Sequence, residues 1–282
     1  MTREKFSHIA FAEFTDCGLV RPQNEDSFAS LPADGCFLVS DGMGGGEAGE
    51  VASRIVAERL AAAVSGTAAD SPGRRKFAVQ QAIHGANREI RDYARAQGYA
   101  QMGATLALWL ADAWNQRRAW LCHVGDSRIY RLRDGVLEVL TRDHTLGAEL
   151  AARTANAAFA EHSVSSLSHI LTRSIGVAGR VLPEWGTADV RRGDLFMVCS
   201  DGVPTMLSDA GIGGILAGAE RDLAAAAAQL ADRVRLAGAR DNYTFILFRI
   251  AAEPPEPEVH SEEEQAEDRH FFGIAGEGTG RV

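Results

Sequence analysis

The chain has 282 residues, 46% of them hydrophobic and 24% charged, with a formal net charge of −9. That length holds one large domain or two small ones. No apolar run is long enough to cross a bilayer, and the opening residues mix Arg3, Glu4, Lys5 and His8 with apolar ones rather than forming a secretory h-region, so a soluble cytoplasmic protein with no membrane partner is expected. Nine acidic and two basic residues fall from Ala252 onward. The remainder is near neutral and has no basic stripe for nucleic acid.

Taken in chain order, Ile9–Phe14 predicts an opening strand, followed by a polar turn that holds Glu25 and Asp26. Phe37-Leu38-Val39-Ser40 is a short apolar run that meets a turn at Asp41-Gly42. Glu47 to Val64 predicts a helix, with Val51, Ile55, Val56, Leu60 and Ala63 on one face. Ser65–Gly73 is rich in Ser, Gly and Pro and reads as a loop. Phe77 to Ala96 predicts a second helix, because Val79, Ile83, Ala86, Ile90 and Tyr93 recur every three or four residues. Four strands are predicted at Thr105–Ala111, Ala119–Val124, Ile129–Leu132 and Val136–Leu140, the last two joined by a hairpin at Arg133-Asp134-Gly135. Ala-rich Leu146–Ala158 reads as helix and Ser163–Gly179 as a polar, less regular stretch. Leu195–Ser200 is an apolar strand that ends at Asp201-Gly202. Leu223, Ala227, Leu230 and Val234 mark a third helix face, and Tyr243–Ile250 a closing strand. Residues 1–251 therefore predict one domain. Residues 252–282, dominated by Pro, Glu and Gly, predict an acidic disordered tail.

Cys17, Cys36, Cys122 and Cys199 form no C-x-x-C pair and the histidines are scattered, so buried free thiols are expected rather than a zinc site. The informative residues are acidic. Asp41 and Asp201 each end an apolar strand and precede a glycine, and Asp241 stands immediately before the last strand. Each Asp-Gly alone is a turn signal, as at Asp34-Gly35 and Asp134-Gly135. Together, strand-end carboxylates can converge on one edge of the sheets, where their repulsion calls for cations. Oxygen-only ligation favours Mg²⁺, Mn²⁺ or Ca²⁺. Gly42, Gly44, Gly45 and Gly46 would let the backbone approach such an ion.

The run Arg21-Pro22-Gln23-Asn24-Glu25-Asp26 resembles the R-x-x-N-[EQ]-D opening motif of PP2C phosphatases. Ser40-Asp41-Gly42-Met43-Gly44-Gly45, followed by Ala48-Gly49-Glu50 and Ala52-Ser53, resembles the bacterial D-G-M-G-G…A-G-E-x-A-S block. Met102-Gly103-Ala104-Thr105, Val124-Gly125-Asp126-Ser127-Arg128, Asp143-His144, Leu171-Thr172-Arg173-Ser174-Ile175-Gly176, Ser200-Asp201-Gly202-Val203 and Asp241-Asn242 continue the family's series in its order, so that the resemblance covers about residues 9–250.

The resemblance implies an α+β fold, a PP2C-like sandwich of two antiparallel β-sheets flanked by α-helices. It implies hydrolysis of phosphoserine and phosphothreonine in proteins by a metal-bridged water, with two Mn²⁺ or Mg²⁺ ions. By matching positions, Asp41 bridges the ions; Gly42 offers its carbonyl; Glu25, Asp201 and Asp241 complete the set; and Asp26 orients a water from behind it. Arg21 is the candidate phosphate clamp, its alternative being a surface ion pair. Asp126 either fixes its own turn or shares a third, weaker ion with Asp201, beneath a flap formed by Asp143–Gly179. Arg128, Arg173 and His144 read as structural. Some members carry His where this chain has Met43, and a methionine cannot protonate the leaving alkoxide. The implied partners are phosphorylated protein substrates and a Ser/Thr kinase that the enzyme opposes. The N-terminal region also resembles phosphatases associated with bacterial type VI secretion. The alternatives are a catalytically silent PP2C-like scaffold, whose signature would be lost carboxylates, and a hydrolase of another phosphoester.

Overall fold

The computed structural model describes residues 5–6, 8–44, 48–153, 167–218 and 222–276. In chain order the strands are β1 (Ile9–Asp16), β2 (Asp26–Leu31), β3 (Cys36–Met43), β4 (Gly103–Ala104), β5 (Leu106–Ala111), β6 (Arg118–Val124), β7 (Arg128–Arg133), β8 (Val136–Val139), β9 (Glu184–Asp189), β10 (Leu195–Cys199) and β11 (Tyr243–Ile250). The helices are α1 (Gly49–Val64), α2 (Pro72–Gln97), α3 (Leu146–Arg153), α4 (Asp209–Ala217), α5 (Leu223–Leu236) and α6 (Glu262–Gly276). One antiparallel sheet runs β1-β11-β10-β7-β8; the other runs β2-β3-β5-β6-β9, with β4 paired to β3.

Strand parity explains why the central strands read as unbroken apolar runs. Alternate residues face opposite sides of a sheet, and here both sides are covered. In β3, Cys36 and Leu38 pack with Val56 and Leu60 of α1 and Ile83 of α2, while Phe37 and Val39 face the other sheet. In β10, Leu195, Met197 and Cys199 pack under Leu216 of α4 and Leu230 of α5, while Phe196 and Val198 point inward. The two sheets meet on an aromatic cluster: the Phe37 and Phe248 rings stack 4.2 Å apart, and Trp109 meets Phe248 edge-on at 4.9 Å. Helix–sheet–sheet–helix layering thus leaves the strand ends, not the sheet faces, open for chemistry. Among the described residues no helix is long and apolar enough to cross a membrane.

The structure differs from the sequence reading in five places. First, Asp26 opens a strand, β2, rather than lying in a turn; all six of its residues are half-buried, so the apolar alternation that marks a strand is missing. β9 is likewise irregular in pattern. Third, α2 starts at Pro72, five residues before the predicted start at Phe77, because Ser71 caps it and proline is pre-set for a first turn. Fourth, α4 is rich in glycine, which hides it from propensity, yet Ser208 caps it by accepting from Gly211 N at 3.2 Å.

Last, the tail is not irregular throughout. Ser261 and Glu264 form a reciprocal cap: Ser261 Oγ accepts from Glu264 N at 3.2 Å, and Glu264 Oε2 accepts from Ser261 N at 2.8 Å. Glu262, Glu263 and Glu264 complement the helix dipole in the first turn of α6. The buried Asp268 accepts the Gly73 N–H at the start of α2, Glu267 pairs with Arg74, and the Phe271 ring lies 5.7 Å from Phe77. Composition predicts disorder because it ignores capping and docking. The predicted helix at Leu146–Ala158 is present as far as Arg153; the remainder, with Gly45 and Gly46, lies outside the described residues.

Candidate metal centre

The site forms where strand ends from both sheets meet. Asp41 lies near the end of β3, and its register partner across the β2–β3 pair is Asp26. Asp201 follows β10 and Asp241 precedes β11; these strands are paired, so the two turns are neighbours. They pack so closely that a Cβ on Gly202 would lie 2.0 Å from the Asn242 carbonyl oxygen. Gly42 is equally constrained: a Cβ there would meet the Gly49 carbonyl oxygen at 2.1 Å. Glycine at both positions therefore permits backbone approach that any side chain would block.

Hydrogen bonds aim the carboxylates. Gly42 N donates to the Glu25 carbonyl at 3.1 Å, and Glu25 N donates to Asn242 Oδ1 at 2.8 Å. Asn242 Nδ2 donates to the carbonyls of Cys17 and Gln23, so one amide pins the whole loop that carries Arg21 and Glu25. Asp41 N donates to Thr105 Oγ1 at 2.9 Å, and that hydroxyl lies 2.7 Å from Ser127 Oγ. Arg21 Nη2 donates to Asp241 Oδ2 at 2.7 Å. Arg21, Glu25, Asp41, Gly42, Asp126, Asp201 and Asp241 all line one cleft of about 1060 Å³, together with Met43. Asp26 sits behind Asp41, fixed by Ser200 Oγ donating to its Oδ2 at 2.7 Å.

The electrostatics are those of crowded, desolvated acids. Burial, then the charges of Asp26 and Asp201, push Asp41 well above the ordinary carboxylate range. Burial, then Asp201 and Asp241, push Asp26 up to about 7 against the pull of Ser200. Burial and Asp201 push Asp126 up to about 8, and burial and Asp241 push Asp201 up to about 6. Asp26 Oδ1 is buried and has no hydrogen-bond partner, a state that costs free energy unless a cation or donor meets it. Glu25, Asp41, the Gly42 carbonyl, Asp126, Asp201 and Asp241 offer oxygen alone, which fits Mg²⁺ or Mn²⁺; His169 also lines the cleft.

A family model described as protein phosphatase 2C matches residues 22–237. The chain belongs to the protein phosphatase 2C family. This family is metal-dependent, and the phosphatase resembles its bacterial members. It is 33% identical over 242 residues to a serine/threonine phosphatase, stp, of Listeria innocua, covering 84% of this chain and 94% of the relative. Among solved structures it resembles PppA, a regulatory component of the type VI secretion system of Pseudomonas aeruginosa, at 30% identity and TM-score 0.76, with 86% of this chain and 98% of the other covered. It also resembles the catalytic domain of the serine/threonine phosphatase PstP in complex with two manganese ions, at 30% identity and TM-score 0.72, over 86% and 97% of the respective chains.

Three residues that fix the phosphatase site carry no role in the sequence reading: Thr105, Ser200 and Asn242. Their signal is adjacency. Ser200 precedes Asp201, Asn242 follows Asp241, and Thr105 ends the Met102–Thr105 motif. Arg128 makes a two-pronged pair with Asp143, at 2.9 and 2.7 Å, beside the site rather than in it.

Proposed function

We propose that this phosphatase removes phosphate from phosphoserine and phosphothreonine of bacterial proteins, in the cytoplasm and in opposition to a Ser/Thr kinase. The observation that carries the assignment is the convergence of Glu25, Asp41, Asp201 and Asp241 on one cleft with Arg21 at its rim. Asp41, Glu25, the Gly42 carbonyl, Asp201 and Asp241 would hold two Mn²⁺ or Mg²⁺ ions, with Asp126 and Asp201 sharing a third. Bound divalent ions supply Lewis acidity, making water nucleophilic near neutral pH and neutralising phosphate oxygens. Arg21 presents a guanidinium to the phosphate, and its bond to Asp241 pre-aims it. Asp26, behind Asp41, accepts a proton or hydrogen bond from water that enters the cleft. Met43 lines the cleft and offers no proton. The likeness to PppA supports a role beside type VI secretion components.

The test is hydrolysis of a phosphothreonine peptide beside a nucleotide, with Mn²⁺ or Mg²⁺ and after chelation. Metal-dependent release of phosphate from the peptide alone is expected. Full activity after exhaustive chelation would overturn the metal assignment, preference for the nucleotide would overturn the substrate, and no turnover at all would favour a scaffold.

A further inference from the structure

Behind Asp126 lies a second cluster of titratable groups. His123 of β6, His144 and Glu184 of β9 bring their ligand atoms within 4.8 Å of one another. These are residue types that bind zinc, but the hydrogen bonds exclude that use. Gly125 N donates to His144 Nδ1 at 3.2 Å. A backbone amide has only a proton to offer, so Nδ1 must present its lone pair. A neutral imidazole then carries its proton on Nε2, which lies 3.1 Å from Glu184 Oε2 and donates to it. His123 Nε2 likewise faces a carbonyl, that of Arg142, at 2.9 Å and must be protonated. Arg173 Nη1 stands 3.6 Å from Glu184 Oε2, placing a cation where a metal would sit; its 3.2 Å approach to His144 Nε2 is a contact between two donors rather than a bond, since Glu184 takes the Nε2 proton and faces the guanidinium as well.

The ring is instead a clip. His144 N donates to the Gly125 carbonyl at 2.9 Å, so both polar groups of Gly125 are held by one residue. On its other side Gly125 is pressed against Thr105: a Cβ there would lie 2.6 Å from Thr105 Cγ2, and its φ is +98°. The His144 carbonyl accepts from Thr172 N at 2.8 Å, so the clip reaches the cleft wall formed by Leu171, Thr172 and Arg173. The His123 ring stacks on that of His144 with centroids 4.4 Å apart and fixes its plane.

We infer that His144 is a positioning residue for the reaction: as the Nε2-protonated tautomer selected by Glu184, it holds the Gly125 peptide so that the Asp126 carboxylate faces Asp201 across the cleft. This rests on the proposed role of Asp126. Burial, and then His123, hold His144 down to about 4, which keeps the ring in the neutral form that the clip needs.

Two measurements test it. In metal-free protein with ¹⁵N-labelled histidine, the ring shifts should report a bare Nδ1 and a protonated Nε2 for His144, and Glu184→Ala should let the other tautomer appear. A protonated Nδ1 in the wild type would overturn the inference without any variant having to fold. The second is a double-mutant cycle on kcat with a phosphothreonine peptide. His144→Ala should lower kcat about tenfold, at the low end of what losing a residue that orients a metal ligand costs, with KM little changed. His144→Asn, whose Oδ1 can accept the Gly125 N–H, should recover part of the loss. His144→Ala with Asp126→Ala should lose no more than Asp126→Ala alone. If Asp126→Ala is itself silent, the role of Asp126 fails and His144 with it. If Asp126→Ala is costly and the two losses add, only the His144 assignment fails.

Discussion

Asp26 and Asp41 stand directly opposite one another in the β2–β3 register, two half-buried carboxylates on neighbouring strands of one sheet. Like charges so placed destabilise a sheet, and their raised pKa values have a consequence for stability. An acid whose folded pKa lies above its unfolded value binds more protons folded than unfolded, so stability falls as pH rises through that interval. For Asp26, at about 7, and Asp126, at about 8, the loss extends to about pH 8. His123 and His144 are shifted down and work in the opposite direction, but only below the ordinary histidine value of 6.5. Between about pH 6.5 and pH 8 the carboxylates act alone. Calorimetry in EDTA should therefore show Tm falling over this window, and the stabilisation by Mn²⁺ should grow as pH rises. A flat Tm in EDTA would contradict the burial and repulsion described for these groups.

The same crowding makes a prediction for Asp41→Asn. The change removes a charge that burial, Asp26 and Asp201 all oppose. Metal-free Asp41→Asn should melt higher than the wild type at pH 8, by a few degrees, given about 2–4 °C for each kcal/mol in large domains. It should be inactive with Mn²⁺ present, and the Mn²⁺-induced rise in Tm should vanish. Lower metal-free stability would mean that the Asp41 carboxylate serves the fold rather than a cation.

Arg21 pairs with Asp241, but the two side chains are 52% and 37% exposed, so the pair itself contributes little stability. Arg21→Ala should leave Tm within about 1 °C, consistent with a near-neutral surface substitution. If the guanidinium clamps phosphate, KM should rise on the order of ten- to a hundredfold, which corresponds to losing about 1.5–3 kcal/mol. Arg21→Lys should recover only part, because an ammonium cannot make two parallel bonds to one phosphate. Steady-state kinetics on a phosphopeptide decide this, and an unchanged KM would leave Arg21 as a surface ion pair.

What could be read from the sequence divides along physical lines. β3, β10 and β11 are legible because both faces are covered and the apolar run is continuous. Asp41, Asp201 and Asp241 are legible because each stands where such a run meets a turn. Asp26 is singled out by motif, while local pattern misses the strand it opens: β2 is half-buried at every position, so nothing alternates. The residues that aim the site escape notice because their work is done across long sequence separations. Asn242 reaches Glu25 and Gln23, and Ser200 reaches Asp26. A hydroxyl or amide has no period, and only the folded chain says which backbone groups it meets.

The tail offers the last prediction, because α6 has a structural task that composition concealed. Asp268 gives its carboxylate to the Gly73 N–H, one of the donors left open at the start of α2. Losing such a cap costs about 1 kcal/mol, so Asp268→Ala should lower Tm by about 2–4 °C. Ending the chain at Ala251 should cost more, since Phe77 would lose Phe271 and Arg74 would lose Glu267. Turnover should survive both changes, since none of these residues lines the cleft. One route could carry an effect that far. Farther along α2, Asn87 accepts from Gly176 N at 2.7 Å and donates to the Ala178 carbonyl at 3.1 Å, and Ala178 does line the cleft. The helix therefore connects the tail to the cleft wall. Thermal melts and phosphopeptide kinetics on Asp268→Ala and on the shortened chain separate the two cases. A drop in Tm with kcat unchanged assigns the tail to stability. A fall in kcat at a temperature well below Tm would mean that α2 transmits the state of its first turn to Asn87.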